Sequence, residues 1–284
     1  MKKNRIAALL LSLSLLGVTV LTGCSSQNNN QAAQPSVSES SQTETGSDLL
    51  AQIQEKGEIV IAMEGTWAPW TYHDENDELV GYDVEVGKAI AEKLGVTATF
   101  VEGEWDGLLA GLDAGRYDIM VNGVGITPDR QEKYDFTTPY AYNRTGVIVR
   151  GDYNEITSME DLNGKNTANT ISSTYAEQAE AYGATVTGVD DLNQTIELLL
   201  AGRIDATLNA EVVFADYQNA HPEANIKIAA YSDDVEQVAI PVRKGTDTAT
   251  LLEAINQALV ELDADGTLSE LSVKYFGTDI SKLS

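Results

Sequence analysis

Two segments of the chain, Leu108–Val124 (LLAGLDAGRYDIMVNGV) and Thr195–Glu211 (TIELLLAGRIDATLNAE), resemble each other along their whole length. Each pattern indicates the end of a helix, an Ala-Gly-Arg turn, a buried strand and a polar tip. The repetition predicts two lobes built alike, each of which directs a strand end at a shared crevice. In open α/β sheets, ligands bind at the carboxyl ends of strands where the strand order reverses. We therefore expect a binding cleft between the two polar tips.

The chain between residues 48 and 284 alternates strand and helix patterns. Glu58–Met63 is a β-branched run, and Asp83–Leu94 has an amphipathic helical pattern that Gly95 ends. This order is typical of an α/β layer with parallel strands. Helix–turn–strand units also look alike by chance, but the matched positions of the two polar tips favour paired lobes.

The polar tip of the first segment continues as Gly123-Val-Gly-Ile-Thr-Pro-Asp-Arg130. Thr127 is a capping residue and Pro128 suits the first helical position, so a helix begins here. Arg130 lies in the first turn, where the partial positive charge of the helix N-terminus disfavours a cation. Free backbone N–H groups and a guanidinium together hold a carboxylate well. Asn122–Arg130 is therefore a candidate anion site, and a surface arginine paired with an acid is the alternative.

The first residues predict a secretory leader. A positively charged start precedes the uncharged apolar run Ile6–Leu21, and Leu-Thr-Gly-Cys24 ends that run. The run is too short for a membrane-spanning helix, and it lies between a positively charged start and a cleavage-site pattern. We therefore interpret residues 1–23 as a signal peptide. The residues before Cys24 resemble the lipobox of bacterial lipoproteins, which implies cleavage after Gly23 and a lipid on Cys24. A secreted protein with a chance cysteine at its cleavage site is the alternative.

Residues 24–47 are rich in Ser, Gln, Asn and Thr and contain little that is apolar. Such a segment cannot bury enough surface to fold, so we interpret it as a flexible tether. Without the leader, the chain carries 15 basic and 44 acidic residues, a formal charge of −29. That charge argues against nucleic-acid binding. Cys24 is the sole cysteine of the sequence, which excludes an intrachain disulfide.

The sequence contains no recognisable catalytic or cofactor motif. His73 and His221 are the only histidines, too few for a histidine metal cluster, and both lie in polar loop patterns. No GxSxG, HExxH or P-loop pattern is present, and Thr127-Pro128 interrupts what would be a GxGxxG pattern. The acidic sequence at Asp263–Gly266 lacks the glutamate that a calcium loop needs at its twelfth position. We expect no metal, no cofactor and no enzymatic activity.

Aromatic residues follow two of the predicted strands. Trp67 follows the first strand with Glu64 just before it, and Trp105 opens a later helix. Both tryptophans lie at strand-to-helix tips, where they can wall a pocket and stack on an apolar ligand group. Packing in the core is the alternative for each of them.

A second helix start lies in the other half of the chain, at Asn169–Thr174. Its hydroxyl and backbone N–H groups, from Thr170, Ser172 and Thr174, offer another cradle for an anion. Plain helix capping is the alternative, and the two roles are compatible.

With these motifs in place, the chain resembles the extracytoplasmic binding proteins of ABC importers for polar amino acids. The resemblance covers Glu58–Gly277 and rests on the order of several motifs: GYDVEVGKAIAEKLGV, EWDGLLAGLDAGRYDIM, GITPDR, YDFTTPY, AGRIDAT and DGTLSELSVKYFG. It implies a two-lobed α/β fold of the periplasmic-binding-protein type II, with a ligand cleft and a two-strand hinge. Lobe 1 would comprise residues 48–143 and 240–284, and lobe 2 residues 144–239.

The resemblance also implies roles for single residues. Arg130 matches the arginine that clamps the ligand α-carboxylate, and Thr174 matches the hydroxyl of lobe 2 that joins it. The other matched positions are the aromatic walls Trp67 and Trp105, the side-chain contact Glu64, and the backbone carbonyl of Gly123, which accepts from the α-ammonium.

Two positions depart from the family pattern. Gly125 stands where many members carry a Ser or Thr hydroxyl, and Ala210 stands where an aspartate usually binds the ligand ammonium. Either Glu211 or Glu64 substitutes for that aspartate, or the ligand lacks a conventional free α-ammonium. The segments NTISSTYAE and GRIDATLNAE resemble the corresponding segments of the cystine-like branch of the family.

Together these observations predict a substrate-binding lipoprotein that captures an amino acid, polar or cystine-like, and delivers it to an ABC permease. We expect a monomer on the extracytoplasmic face of the cell membrane, held by its lipid anchor. A ligand-binding sensor and a dehydratase-like enzyme on the same fold are the alternatives, because fold alone does not fix function. For the enzyme, Glu64 or Glu211 would serve as the acid or base.

Overall fold

The structure is a computed structural model that describes residues 48–283. The predicted signal peptide (residues 1–23), the lipid site Cys24 and the predicted tether (residues 24–47) lie outside these residues. The strands, numbered in chain order, are β1 (Glu58–Met63), β2 (Thr66–Trp67), β3 (Thr71–His73), β4 (Leu79–Val80), β5 (Thr97–Glu102), β6 (Ile119–Met120), β7 (Tyr134–Phe136), β8 (Ala141–Arg150), β9 (Asn166–Asn169), β10 (Thr185–Gly188), β11 (Ala206–Ala210), β12 (Ile226–Val238) and β13 (Pro241–Arg243). The helices are α1 (Leu49–Lys56), α2 (Tyr82–Leu94), α3 (Trp105–Asp113), α4 (Pro128–Lys133), α5 (Thr174–Ala181), α6 (Leu192–Leu200), α7 (Glu211–Ala220), α8 (Ala249–Ala264) and α9 (Thr267–Phe276), with a 3-10 helix at Met159–Leu162.

The first sheet has the strand order β5-β1-β6, with β1 parallel to both neighbours. Its parallel strands are joined by helices, because a parallel connection needs a long crossover. Helix α2 buries an apolar stripe that includes Val86 and Ile90, and it ends at Gly95. Gly95 has φ 75° and its amide bonds back to Ala91, a conformation that favours glycine. A short three-stranded antiparallel sheet, β2-β3-β4, lies between β1 and α2 in the chain.

The second sheet has the order β10-β9-β11-β8-β12 and is mixed. Strands β10, β9 and β11 are parallel, whereas β8 runs antiparallel to both β11 and β12. The prediction of parallel strands therefore holds for the first sheet and is wrong for this edge of the second. Hydrophobic runs do not reveal strand direction, and β8 enters the second sheet directly from the first half of the chain without a crossover helix.

Strands β8 and β12 carry the chain between the two halves. They pair at Ala141 with Val238 and at Tyr142 with Gln237, and the ladder has irregularities further along, one of them between Tyr231 and Val235. Beyond this crossing, β13 pairs with β7, and α8 and α9 pack against α2 of the first half. The described residues thus form two α/β lobes, and the last helices belong with the first sheet.

The predicted start of a helix at Thr127-Pro128 is confirmed. Thr127 caps α4, and Pro128 is its first residue. Elements that the patterns did not reveal include α1, β7, β9 and the first half of β12. Strand β12 was missed in part because its exposed, polar stretch breaks the two-residue alternation.

Candidate functional site

A cavity lies where the polar strand ends of the two halves meet, as expected at the carboxyl ends of parallel strands. It is lined by residues from both halves: Glu64, Thr66, Trp67, Trp105, Gly123, Arg130, Asn169, Thr170, Ser173, Thr174, Tyr175, Asp191, Leu192, Thr195 and Asn209. Seven of the eleven residues predicted to bind a ligand are among them: Glu64, Trp67, Trp105, Gly123, Arg130, Thr170 and Thr174. Their contact with a ligand stays a prediction.

Arg130 supplies the positive charge of the cavity. The Thr127 hydroxyl accepts from the Arg130 backbone N–H at 3.2 Å, which fixes the first turn of α4. Arg130 is 7% exposed, and its guanidinium donates to the carbonyls of Gly125 and Ser172, each at 3.0 Å. Its central carbon lies 5.3 Å from the ring centre of Trp105, a cation–π distance. Burial lowers the pKa of Arg130, but a guanidinium stays charged in proteins.

Glu64 supplies a negative charge, and Asn122 holds it from behind the cavity wall. The Asn122 side chain donates to the Glu64 carboxylate at 2.7 Å and accepts from the Glu64 backbone N–H at 2.7 Å. Burial raises the pKa of Glu64 to about 7, and nearby Asp191 and Asp106 act in the same direction. Asn122 therefore positions a cavity residue, although it does not itself line the cavity.

The two predicted aromatic walls are both present at the cavity. Trp67 stacks on Trp70 at a ring distance of 5.4 Å, and Trp70 lies in the core at 1% exposure. The indole N–H of Trp67 donates to Asn209, whereas the buried indole N–H of Trp105 has no partner among the described residues. Trp105 thus keeps a polar donor near the charged group of Arg130.

Gly123 forms a close-fitting part of the wall. Its φ is 55°, and a Cβ at this position would lie 2.5 Å from the ring of Trp67. A side chain here is therefore excluded by both the backbone conformation and the neighbouring ring. Its amide donates to the carboxylate of Asp83 at 2.6 Å.

The second predicted cradle lies at the start of α5, where Ser173 is the cap and accepts from Ala176 at 3.2 Å. Thr174 lines the cavity, and its hydroxyl donates to Glu236 at 2.8 Å. Ser172 is exposed and does not line the cavity. Its hydroxyl and backbone N–H both donate to the Asp106 carboxylate, while its carbonyl accepts a hydrogen bond from the Arg130 guanidinium.

Two further candidates lie apart from the cavity lining. Gly125 is behind it, where its carbonyl accepts from Arg130. Glu211 begins α7 and faces Arg144, whose guanidinium is 3.4 Å from the Glu211 carboxylate. The structure thus does not bring Glu211 to the site where an acid is missing at Ala210.

Asp191 and Asn209 are the main site residues that sequence reasoning missed. Asp191 lines the cavity and also caps α6, where it accepts from the Gln194 amide at 2.9 Å. Asn209 lies at the end of β11 beside Ala210. The signal for Asn209 was present, because the repeat places it at the second polar tip. Asp191 precedes a helix and is explained by its capping role, so the sequence contains no separate indication that it also lines the cavity.

Residues 48–283 contain no group of His, Cys, Asp and Glu suited to a metal ion. None of the helices in the same range is both long and apolar enough to cross a membrane.

The model of the bacterial extracellular solute-binding proteins, family 3, matches residues 59–278. The L-cystine-binding protein TcyA of Bacillus subtilis is 37% identical over 276 residues, which cover 97% of this chain and 99% of TcyA. Among solved structures, an ancestral arginine-binding protein bound to arginine matches with a TM-score of 0.73 and 35% identity, covering 78% of this chain and 99% of that one. The L-cystine solute receptor of Neisseria gonorrhoeae, unliganded and open, matches with a TM-score of 0.55 and 41% identity, covering 83% and 100%.

Hydrogen bonds join the two halves across the cavity. Trp67 reaches Asn209, and Arg130 reaches Ser172, each from the first half to the second. The cleft is therefore closed.

Proposed function

This chain belongs to the bacterial extracellular solute-binding proteins of family 3, and we propose that its cavity captures a cystine-like amino acid for delivery to an ABC permease. Membership of the family makes it an extracytoplasmic amino-acid-binding protein. The ligand class, the residues that hold the ligand and the mode of anchoring are proposals.

The observation that carries this proposal is the buried guanidinium of Arg130. It donates to two backbone carbonyls, and no carboxylate among residues 48–283 forms a direct salt bridge with it. The carboxylates of Glu177 and Glu236 favour its charge from a distance but do not pair with it. A buried guanidinium without a directly paired carboxylate is costly, and a ligand carboxylate would supply that partner through a bidentate pair. The Trp105 indole N–H is a further donor on the same cavity, whereas the Thr174 hydroxyl that lines it already donates to Glu236.

The ammonium end of the ligand needs a partner other than residue 210, which is alanine. We assign this role to Glu64 together with the backbone carbonyl of Gly123, because both line the cavity. Asp191 adds a second carboxylate there. Glu211, paired with Arg144, is left out of the assignment.

A cystine-like ligand matches three of the cavity charges: one of its carboxylates would pair with Arg130, and its two ammonium groups would pair with Glu64 and Asp191. Cystine carries two carboxylates and two ammonium groups, and the cavity offers one guanidinium and two carboxylates with aromatic walls between. The identity of 37% with a protein named as L-cystine-binding supports the same class. Arginine is the competing ligand, since its two cationic groups and single carboxylate complement the two carboxylates and the guanidinium of the cavity.

The test is calorimetry on protein that has been unfolded, washed free of ligand and refolded. L-cystine, L-arginine, L-glutamine and the other amino acids are titrated in turn, and we expect the tightest binding with L-cystine. Tighter binding of L-arginine would overturn the ligand class but keep the amino-acid function. No heat and no thermal shift with any of them would overturn the function.

The mode of attachment is a separate proposal. The lipobox-like residues before Cys24 support a lipid anchor that holds the protein at the outer face of the membrane. Mass spectrometry of the N-terminal peptide from cells tests this, with Cys24→Ala as the control. Release of the native protein into the medium to the same extent as the variant would overturn the anchor.

The remaining proposals concern the lobes and the assembly. We assign residues 48–143 and 240–284 to lobe 1 and residues 144–239 to lobe 2, with the hinge at the β8–β12 crossing. A monomer is expected in solution, which light scattering during size-exclusion chromatography measures. A dimer that persists on dilution would contradict it.

A dehydratase-like enzyme is the second candidate, because the raised pKa of Glu64, about 7, would suit a general acid. We propose that the protein is not an enzyme. An assay of cyclic hydroxy acids for dehydration products should show no turnover above buffer. Turnover that Glu64→Gln abolishes would favour the enzyme.

A further inference from the structure

Asp83 is a carboxylate that is wholly buried behind the cavity. It lies in the first turn of α2 and has 0% exposure. One oxygen accepts from the Gly123 amide at 2.6 Å, and the other accepts from the Tyr140 hydroxyl at 2.7 Å. No cation among the described residues forms a salt bridge with it. Its two partners belong to different segments, one at the cavity and one at the crossing.

The Gly123 bond fixes a peptide in the wall of the cavity. Gly123 has a positive φ and touches the ring of Trp67, so this loop has little freedom to vary. The preceding residue, Asn122, holds the Glu64 carboxylate at 2.7 Å. Because the Asn122–Gly123 peptide is planar, fixing its N–H also fixes the direction of the Asn122 carbonyl.

The Tyr140 bond reaches the start of the crossing between the lobes. Tyr140 directly precedes β8, and its amide donates to the carbonyl of Val238 on β12 at 2.9 Å. Its own carbonyl accepts from the Tyr82 hydroxyl at 3.1 Å. Asp83 and Tyr82 therefore tie the first turn of α2 to the point where both crossing strands leave the first half.

A purely structural role does not explain a carboxylate at this position. Burial raises the pKa of Asp83 to about 7, although both hydrogen bonds act to lower it. Keeping an acid there reduces the stability of the folded state near neutral pH, where an apolar group of similar size would not. Costs of this kind concentrate at functional sites.

On the basis of the function proposed above, we propose that Asp83 is a positioning residue that holds the Gly123 wall of the ligand cavity and the hinge residue Tyr140 as one hydrogen-bonded unit. Ligand affinity then depends on Asp83, although Asp83 does not line the cavity.

Three variants test this. Asp83→Ala removes both acceptors and leaves the Gly123 amide unpaired. Asp83→Asn keeps one oxygen for Gly123 and offers an N–H that the Tyr140 hydroxyl can accept by rotating. Ile90→Ala, a wholly buried position on the same helix, lowers stability without altering this unit. Two quantities are measured: the L-cystine affinity well below the melting temperature, and the hydrogen-exchange rate of the Gly123 amide in unliganded protein.

We expect Asp83→Ala to weaken L-cystine binding at least tenfold and to speed exchange of the Gly123 amide at least tenfold. Asp83→Asn should remain within a few-fold of the native protein in both quantities, and Ile90→Ala should keep native affinity despite its lower melting temperature. Native affinity in Asp83→Ala, or equal losses in Ile90→Ala, would overturn the positioning role. If the native protein binds no amino acid, the proposed function fails. The exchange rate of the Gly123 amide then tests the positioning role of Asp83 by itself. An unchanged exchange rate in Asp83→Ala would overturn that role.

Discussion

The indole N–H of Trp67 donates to the side-chain oxygen of Asn209 over 3.2 Å, and the two residues belong to different lobes. Trp67 lies in β2 after the first strand, whereas Asn209 lies in β11 of the second sheet. Both are nearly buried, at 9% and 7% exposure, so water competes little for this bond. The bond therefore favours the closed arrangement over the open one.

Asn209→Ala should weaken L-cystine binding by about 1 kcal/mol, roughly fivefold, because closure no longer gains a buried hydrogen bond. Calorimetry measures the affinity, and small-angle scattering measures the closed fraction with L-cystine present. Asn193→Ala, exposed on α6, is the matched control and should bind as the native protein does. Equal affinities in both variants would show that the Trp67 bond adds nothing to closure.

Arg130→Ala should weaken L-cystine binding by about 3 kcal/mol, on the order of 100-fold, through loss of a charge-assisted pair in a buried site. Arg130→Lys keeps the charge but loses the planar fork, so an intermediate affinity is expected. Arg144→Ala removes a more exposed arginine, 43% exposed and paired with Glu211, and serves as the control. Near-native affinity in Arg130→Ala would mean that the ligand carboxylate is held elsewhere.

Glu64 makes stability depend on pH, since its pKa is raised from 4.5 to about 7 on folding. The folded state binds the proton more tightly than the unfolded state does, so this group destabilises the fold progressively as the pH rises from 4.5 to about 7. Below that window the effect vanishes, and above it the effect is constant. Glu64→Gln should therefore raise the free energy of unfolding by about 1–3 kcal/mol above the window and leave it unchanged below. Denaturant titrations at both ends measure this, and a gain that does not vary with pH would contradict it.

Binding at Glu64 should also release protons. A ligand ammonium favours the ionised carboxylate, so a group that is half protonated near pH 7 loses its proton when the ligand binds. L-cystine affinity should rise with pH up to about 7 and then level off. Calorimetry at one pH in buffers of different ionisation enthalpy counts the protons. Glu64→Gln is the control, and a release that persists in this variant would assign the proton to another group.

Gly125 and Glu236 form a pair that explains one departure from the family pattern. A Cβ on Gly125 would lie 2.0 Å from a carboxylate oxygen of Glu236, which Thr174 holds at 2.8 Å. Gly125→Ser should therefore lower the free energy of unfolding and weaken L-cystine binding, by about 1–3 kcal/mol each. Gly125→Ser combined with Glu236→Ala should recover much of the loss. A double variant as impaired as the single one would mean that Glu236 is not the obstacle.

Sequence reasoning found the parts of the site that rest on local signals. Thr127 and Pro128 mark the start of α4, and the chemistry of Arg130 follows from its place in that first turn. Asp83 and Glu236 were missed because their partners are remote in the chain. Asp83 meets Gly123 across 40 residues, and Thr174 meets Glu236 across 62. No local pattern carries such information.

The missing acid at Ala210 shows the same limit. Glu211 was a candidate because it is next in the chain, but one step along the end of a strand turns the side chain to the opposite face. Asp191 comes from the loop between β10 and α6, and it lines the cavity although β9 separates β10 from β11 in the sheet. The fold class follows from periodicity, whereas the direction of β8 depends on a connection that the pattern does not encode.

The paired crossing strands allow closure of the cleft to be detected on the side of the molecule opposite the cavity. Strands β8 and β12 are hydrogen-bonded to each other where both leave the first lobe, so the lobes share one twisted ribbon rather than two separate tethers. A ribbon of this kind bends about a single axis, and surfaces on opposite sides of that axis move in opposite senses. A pair of fluorophores mounted behind the ribbon, for example beside the exposed Tyr231, would separate as the cleft closes. Such a reporter would register occupancy without any label in the cavity.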